Sequence, residues 1–262
     1  MIQSFGRFDK PEDCFFVRRY VILNKYEMHS QEDILLQLQF DSFHRAEVLQ
    51  YLGWRGSEIP PEVQRQIDQC ITETFAAVQP RYTYQIFGVE RCENSIRLMG
   101  TDVVLPGQDV WQLLADCKSC VLMAATLGAG LETCIRRAQV RDMTRALILD
   151  CCGSAAIEAV CDRAEQEIQN ALGDAAQYLT DRFSPGYGDM PIDFQRELTA
   201  LLDTGRQIGL TLTDSCILTP RKSVTAIIGL ADRPQTKRFR GCAYCSMFEN
   251  CTFRKAGKTC GK

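Results

Sequence analysis

The pattern of apolar and polar positions predicts three long helices. Apolar side chains recur at three- and four-residue steps from Glu32 to Leu52, and Gly53 ends that helix. Pro60-Pro61 begins a second helix, which Pro80 ends. The longest pattern runs from about Asp142 to Leu172, with an apolar stripe beside a polar one. The polar stripe consists of Glu158, Asp162, Glu165 and Gln169.

Shorter segments predict strands between and after these helices. A strand-like stretch covers Phe15–Leu23, and alternating positions in residues 82–104 indicate a hairpin. Cys120–Leu127 has the composition of a buried strand, and two short strands are predicted near Cys216–Leu218 and Val224–Ile228. Helices and strands do not alternate regularly. The pattern therefore favours an α+β fold, in which helices flank an antiparallel or mixed sheet.

Composition excludes several classes of protein. A chain of 262 residues, 45% of them hydrophobic, buries a core without disulfides. The apolar run Ser119–Leu131 is shorter than the roughly 18 residues that cross a bilayer, and Arg18 interrupts the only apolar stretch near the start. We therefore expect a cytoplasmic protein whose fourteen cysteines are thiols, metal ligands or redox groups. With only His29 and His44, a histidine-rich metal site is disfavoured.

The C-terminal tail, residues 233–262, differs from the predicted α+β domain at 1–232. Seven Lys/Arg and one Glu lie in 236–262, so the first 235 residues carry a net charge of −9. Four closely spaced cysteines predict a metal site, either structural zinc or a [4Fe–4S] cluster, with free thiols or tail disulfides as the alternative. The wide spacing of the second pair slightly favours the cluster, which would relay electrons or help docking. These cysteines are Cys242, Cys245, Cys251 and Cys260.

Other cysteines and basic residues allow simpler interpretations. Cys117 and Cys120 form a second Cys-x-x-Cys pair, but they lead into a hydrophobic strand, so we interpret them as core residues. The adjacent Cys151-Cys152 within the long helix is interpreted in the same way. The basic cluster of Lys237, Arg238 and Arg240 is either a docking surface for an acidic partner or a solvated face.

The loop at residues 181–191 has the most informative chemistry. Arg182 offers a planar fork for a carboxylate, and Pro185 and Gly186 form a tight turn that lets backbone approach a flat ligand. Tyr187 presents an aromatic ring at the same place. From the spacing alone, an ordinary turn beside a solvated arginine is the alternative interpretation. A further helix is expected after the loop, with Asp193 as its cap.

This Arg-x-x-Pro-Gly-Tyr loop and the downstream Leu218-Thr-Pro-Arg-Lys-Ser-Val224 turn resemble the activation domain of vitamin B12-dependent methionine synthase. The resemblance is strongest over residues 142–230. The segments Glu47–Gly53 and 125–128 are similar to stand-alone bacterial forms of the domain. The resemblance implies a protein that binds S-adenosylmethionine and docks over cobalamin. A protein of this kind would support reductive methylation of inactive cob(II)alamin to methylcobalamin, as an accessory to the methyltransferase itself.

The resemblance also implies roles for individual residues. Arg182 would hold the carboxylate of the methionyl moiety, and Ser184 and Pro185 would line the ligand. Gly186 and Tyr187 would face the corrin ring, which makes Tyr187 the one candidate catalytic residue. Two more residues have implied positions: Glu158 lies near the ligand or is simply part of the polar stripe, and Ser223 is a structural turn residue.

Partners follow from the same resemblance. In a chain of this length, the methionine synthase would be bound in trans, and an electron donor such as flavodoxin or ferredoxin would be needed. Two alternatives remain open: an activator of another corrinoid methyltransferase, and a four-cysteine interaction module that contacts nucleic acid. The net charge of −9 outside the tail disfavours the nucleic-acid module, because phosphate affinity scales with the number of cationic contacts.

Overall fold

The computed structural model describes residues 42–54, 58–93, 95–172 and 178–235, together with residue 255. Within these residues, a six-stranded antiparallel sheet lies between two layers of helices. The predicted α+β class is therefore confirmed. The strand predicted at Phe15–Leu23, the first part of the helix predicted from Glu32, and the four tail cysteines lie outside the described residues. The predicted boundary at residue 232 stays a prediction for the same reason.

The elements are numbered in chain order. The helices are α1 (Ser42–Tyr51), α2 (Pro61–Ala77), α3 (Gln108–Leu113), α4 (Gly130–Gln139), α5 (Met143–Ala171), α6 (Gln195–Leu201) and α7 (Thr204–Ile208). The strands are β1 (Arg81–Arg91), β2 (Ile96–Leu98), β3 (Val104–Leu105), β4 (Cys117–Thr126), β5 (Tyr178–Leu179), β6 (Thr211–Leu212), β7 (Leu218–Thr219) and β8 (Ser223–Ala231). In the described part of the chain, no helix is long and apolar enough to cross a membrane.

The main sheet has the order β3-β2-β1-β4-β8-β5, and every neighbouring pair is antiparallel. Strands β1, β4 and β8 form its centre, with Met123 opposite both Tyr84 and Ala226. The predicted hairpin corresponds to β1 and β2. A separate ribbon of β6 and β7 precedes the turn into β8.

Both faces of β4 are buried. Its odd-numbered positions, such as Val121 and Met123, pack with α2, α4 and α5. Its even-numbered positions, such as Leu122 and Ala124, pack with α3, α6 and α7. Because neither face meets water, the strand has no polar alternation although the sheet is antiparallel. Cys117 and Cys120 are buried here, which confirms their interpretation as core residues.

Helix α5 is the longest element and supports the site described below. The Asp142 carboxylate accepts a hydrogen bond from the Arg145 amide at 3.0 Å and caps the helix. Cys151 and Cys152 are buried in the helical layer, as predicted. The prediction for Asp193 was wrong: it lies inside a 3₁₀ turn (Ile192–Phe194) and accepts a hydrogen bond from the Cys216 thiol at 3.4 Å.

Candidate ligand-binding site

The Arg-x-x-Pro-Gly-Tyr loop begins at the edge of strand β8. Phe183 exchanges two backbone hydrogen bonds with Ile227, at 2.9 and 2.8 Å, and its ring is buried. This bridge fixes the backbone on either side of Phe183. Arg182 therefore projects towards α5, and the turn that follows lies at the protein surface.

The loop is closed by its own backbone. The Tyr187 amide donates to the Ser184 carbonyl at 3.2 Å, with Pro185 and Gly186 at the centre of the turn. Gly186 has a φ of +89°, as the third position of a type II turn requires. The Gly186 amide also donates to the Met190 carbonyl at 3.0 Å. Pro185 is buried in this arrangement, whereas 69% of Tyr187 is exposed.

A second contact fastens the loop to helix α3. The Asp189 carboxylate accepts hydrogen bonds from the Gln108 and Asp109 amides, at 2.5 and 3.2 Å. In return, the Asp109 carboxylate accepts from the Asp189 amide at 3.2 Å. A Cβ atom at Gly188 would collide with Asp109, so the close approach requires glycine. This reciprocal contact joins parts of the chain that are far apart in sequence, and the sequence analysis missed it.

Arg182 lies against three carboxylates of α5. Its Nη2 is 2.8 Å from Glu158, and its Nη1 is 3.0 Å from Asp162 and 2.8 Å from Glu165. Only 14% of the arginine side chain is exposed, so the interpretation of a solvated arginine is wrong. The four side chains are called the Arg182 cluster below. Burial alone would lower the pKa of Arg182, but the carboxylates, Glu165 above all, raise it, so the guanidinium stays charged.

Three residues of the polar stripe of α5 therefore bind Arg182 instead of only facing solvent. Glu158, Asp162 and Glu165 follow one another at three- and four-residue steps, so their side chains share one face of the helix. That face is turned to the loop. The side chains are 40%, 55% and 22% exposed, respectively, so the cluster is open to solvent at one end.

Tyr51, at the end of α1 and half exposed, is a neighbour of the cluster that the sequence analysis missed. Its pKa is raised to about 12, chiefly by burial and then by the negative charge of Glu158, with opposing and supporting influences from Arg182 and Tyr187. Tyr51 therefore lies within electrostatic reach of the cluster. The only sequence signal for it was the weak family similarity of Glu47–Gly53.

The structure brings the predicted loop residues and Glu158 to one place. Ser223 lies apart at the first position of β8, where its hydroxyl donates to the carbonyl of Pro220 in the preceding turn at 2.7 Å, consistent with the predicted structural role. Nearby, the Lys222 ammonium is 2.9 Å from both Asp150 and Ser154 and ties this turn to α5. Within the ranges that the structure describes, no group of His, Cys, Asp and Glu side chains is arranged to hold a metal ion.

The fold and the loop define a known class of domain. The chain is similar to a crystal structure of the MetH reactivation domain bound to AdoHcy, with a TM-score of 0.60 and 14% sequence identity. The match covers 80% of this chain and 78% of that one. Residues 121–241 match the sequence model of the family described as vitamin B12 dependent methionine synthase, activation domain. The resemblance to that family is therefore confirmed from β4 into the tail. No curated protein matches the chain.

Proposed function

We propose that this chain binds S-adenosylmethionine and docks in trans over the cobalamin of a methionine synthase, where it supports reductive methylation of cob(II)alamin. The observation that carries the proposal is the Arg182 cluster beside the exposed ring of Tyr187. The family match and the relative that is bound to AdoHcy support the same ligand class.

The charges of the Arg182 cluster fit a ligand that carries both signs. A guanidinium has five N–H donors, and the three ion pairs of Arg182 leave donors for one more carboxylate. Three carboxylates beside one guanidinium leave two formal negative charges in excess. This excess favours a cationic sulfonium over a neutral thioether. Arg182 thus holds the amino-acid end of the ligand, and Glu158 faces the sulfonium.

The loop surface fits a flat macrocycle. Gly186 has no side chain at the exposed turn, Ser184 is half-buried and Pro185 buried, and the Tyr187 ring is exposed. The cobalamin, which the partner carries, supplies the cobalt nucleophile when bound, and the ligand supplies the methyl group. This chain positions the ligand and excludes water, so it needs no general base of its own.

The C-terminal tail completes the proposal. Four cysteines spaced C-x2-C-x5-C-x8-C support a metal site, which we assign to a [4Fe–4S] cluster, with structural zinc as the alternative. A cluster would pass on the single electron that reactivation needs, received from a donor such as flavodoxin or ferredoxin. Its support is the cysteine spacing alone.

Calorimetry tests the ligand assignment. We expect saturable one-site binding of S-adenosylmethionine, weakened by about 1.5–3 kcal/mol in Arg182→Ala, as for a lost charged hydrogen bond. Glu158→Gln should weaken binding of S-adenosylmethionine more than binding of AdoHcy, because only the first is cationic at sulfur. Arg163→Ala is the matched control, since Arg163 pairs with Glu167 on the same helix. Equal binding by Arg182→Ala and Arg163→Ala would contradict the assignment.

A reactivation assay tests the docking. With cob(II)alamin-loaded methionine synthase and a reductant, wild-type protein should restore methylcobalamin, and Tyr187→Ala should be impaired although its ligand affinity is unchanged. Tyr178→Ala is the control, because it removes another exposed tyrosine, in strand β5. Full activity of Tyr187→Ala would contradict the contact between Tyr187 and the corrin ring.

A further inference from the structure

An open groove lies beside the loop, on the opposite side of the sheet from α5. Its volume is about 420 Å³, and its floor is apolar, formed by Val103, Val104, Pro106, Pro191 and Phe194. Three exposed carboxylates stand along it: Asp102, Asp193 and Glu197. An apolar floor with an acidic rim suits a segment that carries both cationic and aromatic side chains.

We propose that this groove is the docking site of the chain's own C-terminal tail, through residues 236–240. That segment reads Thr-Lys-Arg-Phe-Arg, with three cations around one aromatic ring. Charge is the first argument, because the groove is acidic and the tail is the strongly basic part of an otherwise acidic chain. Arg196, the nearby cation of α6, donates to the Asp214 carbonyl, and Asp193 accepts from the Cys216 thiol at 3.4 Å.

The place where the described chain ends is the second argument. Arg233 pairs with Asp116 at 2.5 Å, just beyond the C-terminal end of α3. The groove begins at Pro106, just before the N-terminal end of the same helix. Helix α3 has six residues and therefore spans about 9 Å. The seven residues that follow Arg233, up to Arg240, extend to at most about 25 Å. The basic segment is therefore long enough to reach the groove.

The consequence concerns the four cysteines. Pro191 both lines the groove and ends the loop that carries Tyr187. Cys242 follows Arg240 by two residues. A tail seated in the groove would hold the cysteines close to that loop. The inference itself rests on the groove and the chain path, and it stands or falls independently of the ligand assignment.

Zero-length cross-linking with a carbodiimide on the full-length protein tests the docking. Lys237 is the only lysine in residues 233–240, so its amide links are diagnostic. We expect peptide mapping to find Lys237 joined to Asp102, Asp193 or Glu197 within one chain. Mixing isotopically labelled and unlabelled protein separates links within a chain from links between chains. Links mainly between chains would assign the groove to a second copy. Links of Lys237 only to other carboxylates would show that the tail does not occupy the groove. Either result overturns the proposal.

Limited trypsin digestion is a second, independent test. Cleavage after Lys237, Arg238 and Arg240 should be several-fold faster in Asp102→Asn/Glu197→Gln than in wild type. The matched control is Glu62→Gln, because Glu62 and Glu197 each lie in the first turn of a helix, and α2 packs on the other face of the sheet. Equal cleavage of the groove variant and wild type, with both correctly folded by circular dichroism, would refute the docking.

Discussion

Replacement of Arg182 by alanine gives the sharpest test of how the site is held together. The substitution removes the one cation of the Arg182 cluster and leaves Glu158, Asp162 and Glu165 next to one another on α5. The loop then loses its three ion pairs to the helix. The backbone bridge at Phe183, its buried ring and the Asp189 contact still fasten the loop.

The expected loss of stability follows from the degree of burial. An exposed ion pair contributes about 0.2–1 kcal/mol, whereas breaking a buried pair costs about 3–5 kcal/mol. Arg182 is largely buried but its partners are partly exposed. We therefore expect Arg182→Ala to lower the free energy of unfolding by about 2–3 kcal/mol at pH 7. Arg163→Ala breaks a single, partly buried ion pair of α5 and leaves Glu167 its hydrogen bond from Tyr82, so it should cost less, about 1 kcal/mol.

Urea unfolding followed by circular dichroism measures both values. The pKa of Arg182 is raised, so its guanidinium is charged at pH 7, where the test is made. An Arg182→Ala loss below about 0.5 kcal/mol at pH 7 would refute the reasoning.

Three further predictions concern the loop, the core and the tail. Gly186→Ala should cost about 1–3 kcal/mol in urea unfolding, because φ is +89° and a Cβ would approach Ile192 to 3.0 Å; Gly209→Ala, with positive φ but open space, should cost less. Burial raises the pKa of Cys117 to about 11, so a thiol reagent at pH 8 should modify exposed Cys92 much faster than Cys117 unless urea is present. Protein purified without oxygen should contain iron and acid-labile sulfide that Cys242→Ala reduces; a metal-free protein would exclude the tail site.

The sequence by itself determined the elements whose cause is local. The repeat of apolar residues in α5 and its capping residue Asp142 belong to one continuous stretch of sequence. The observed helix differs from the prediction by one residue at each end. The Pro185-Gly186 turn is equally local, since the ring of proline and the missing Cβ of glycine fix its geometry. The loop motif, whose residues are consecutive, was enough to indicate the family.

Only the tertiary structure decided what those local elements face. The sequence allowed two interpretations of Arg182, a ligand-binding group or a solvated side chain. It also allowed two of Glu158, a neighbour of the ligand or a member of a surface stripe. Packing of the loop against α5 joined them in one cluster. Tyr51 and the Asp189 contact with α3 were not predicted, because each brings together residues from distant parts of the chain. Such contacts depend on how the sheet orders its strands, which no local period encodes.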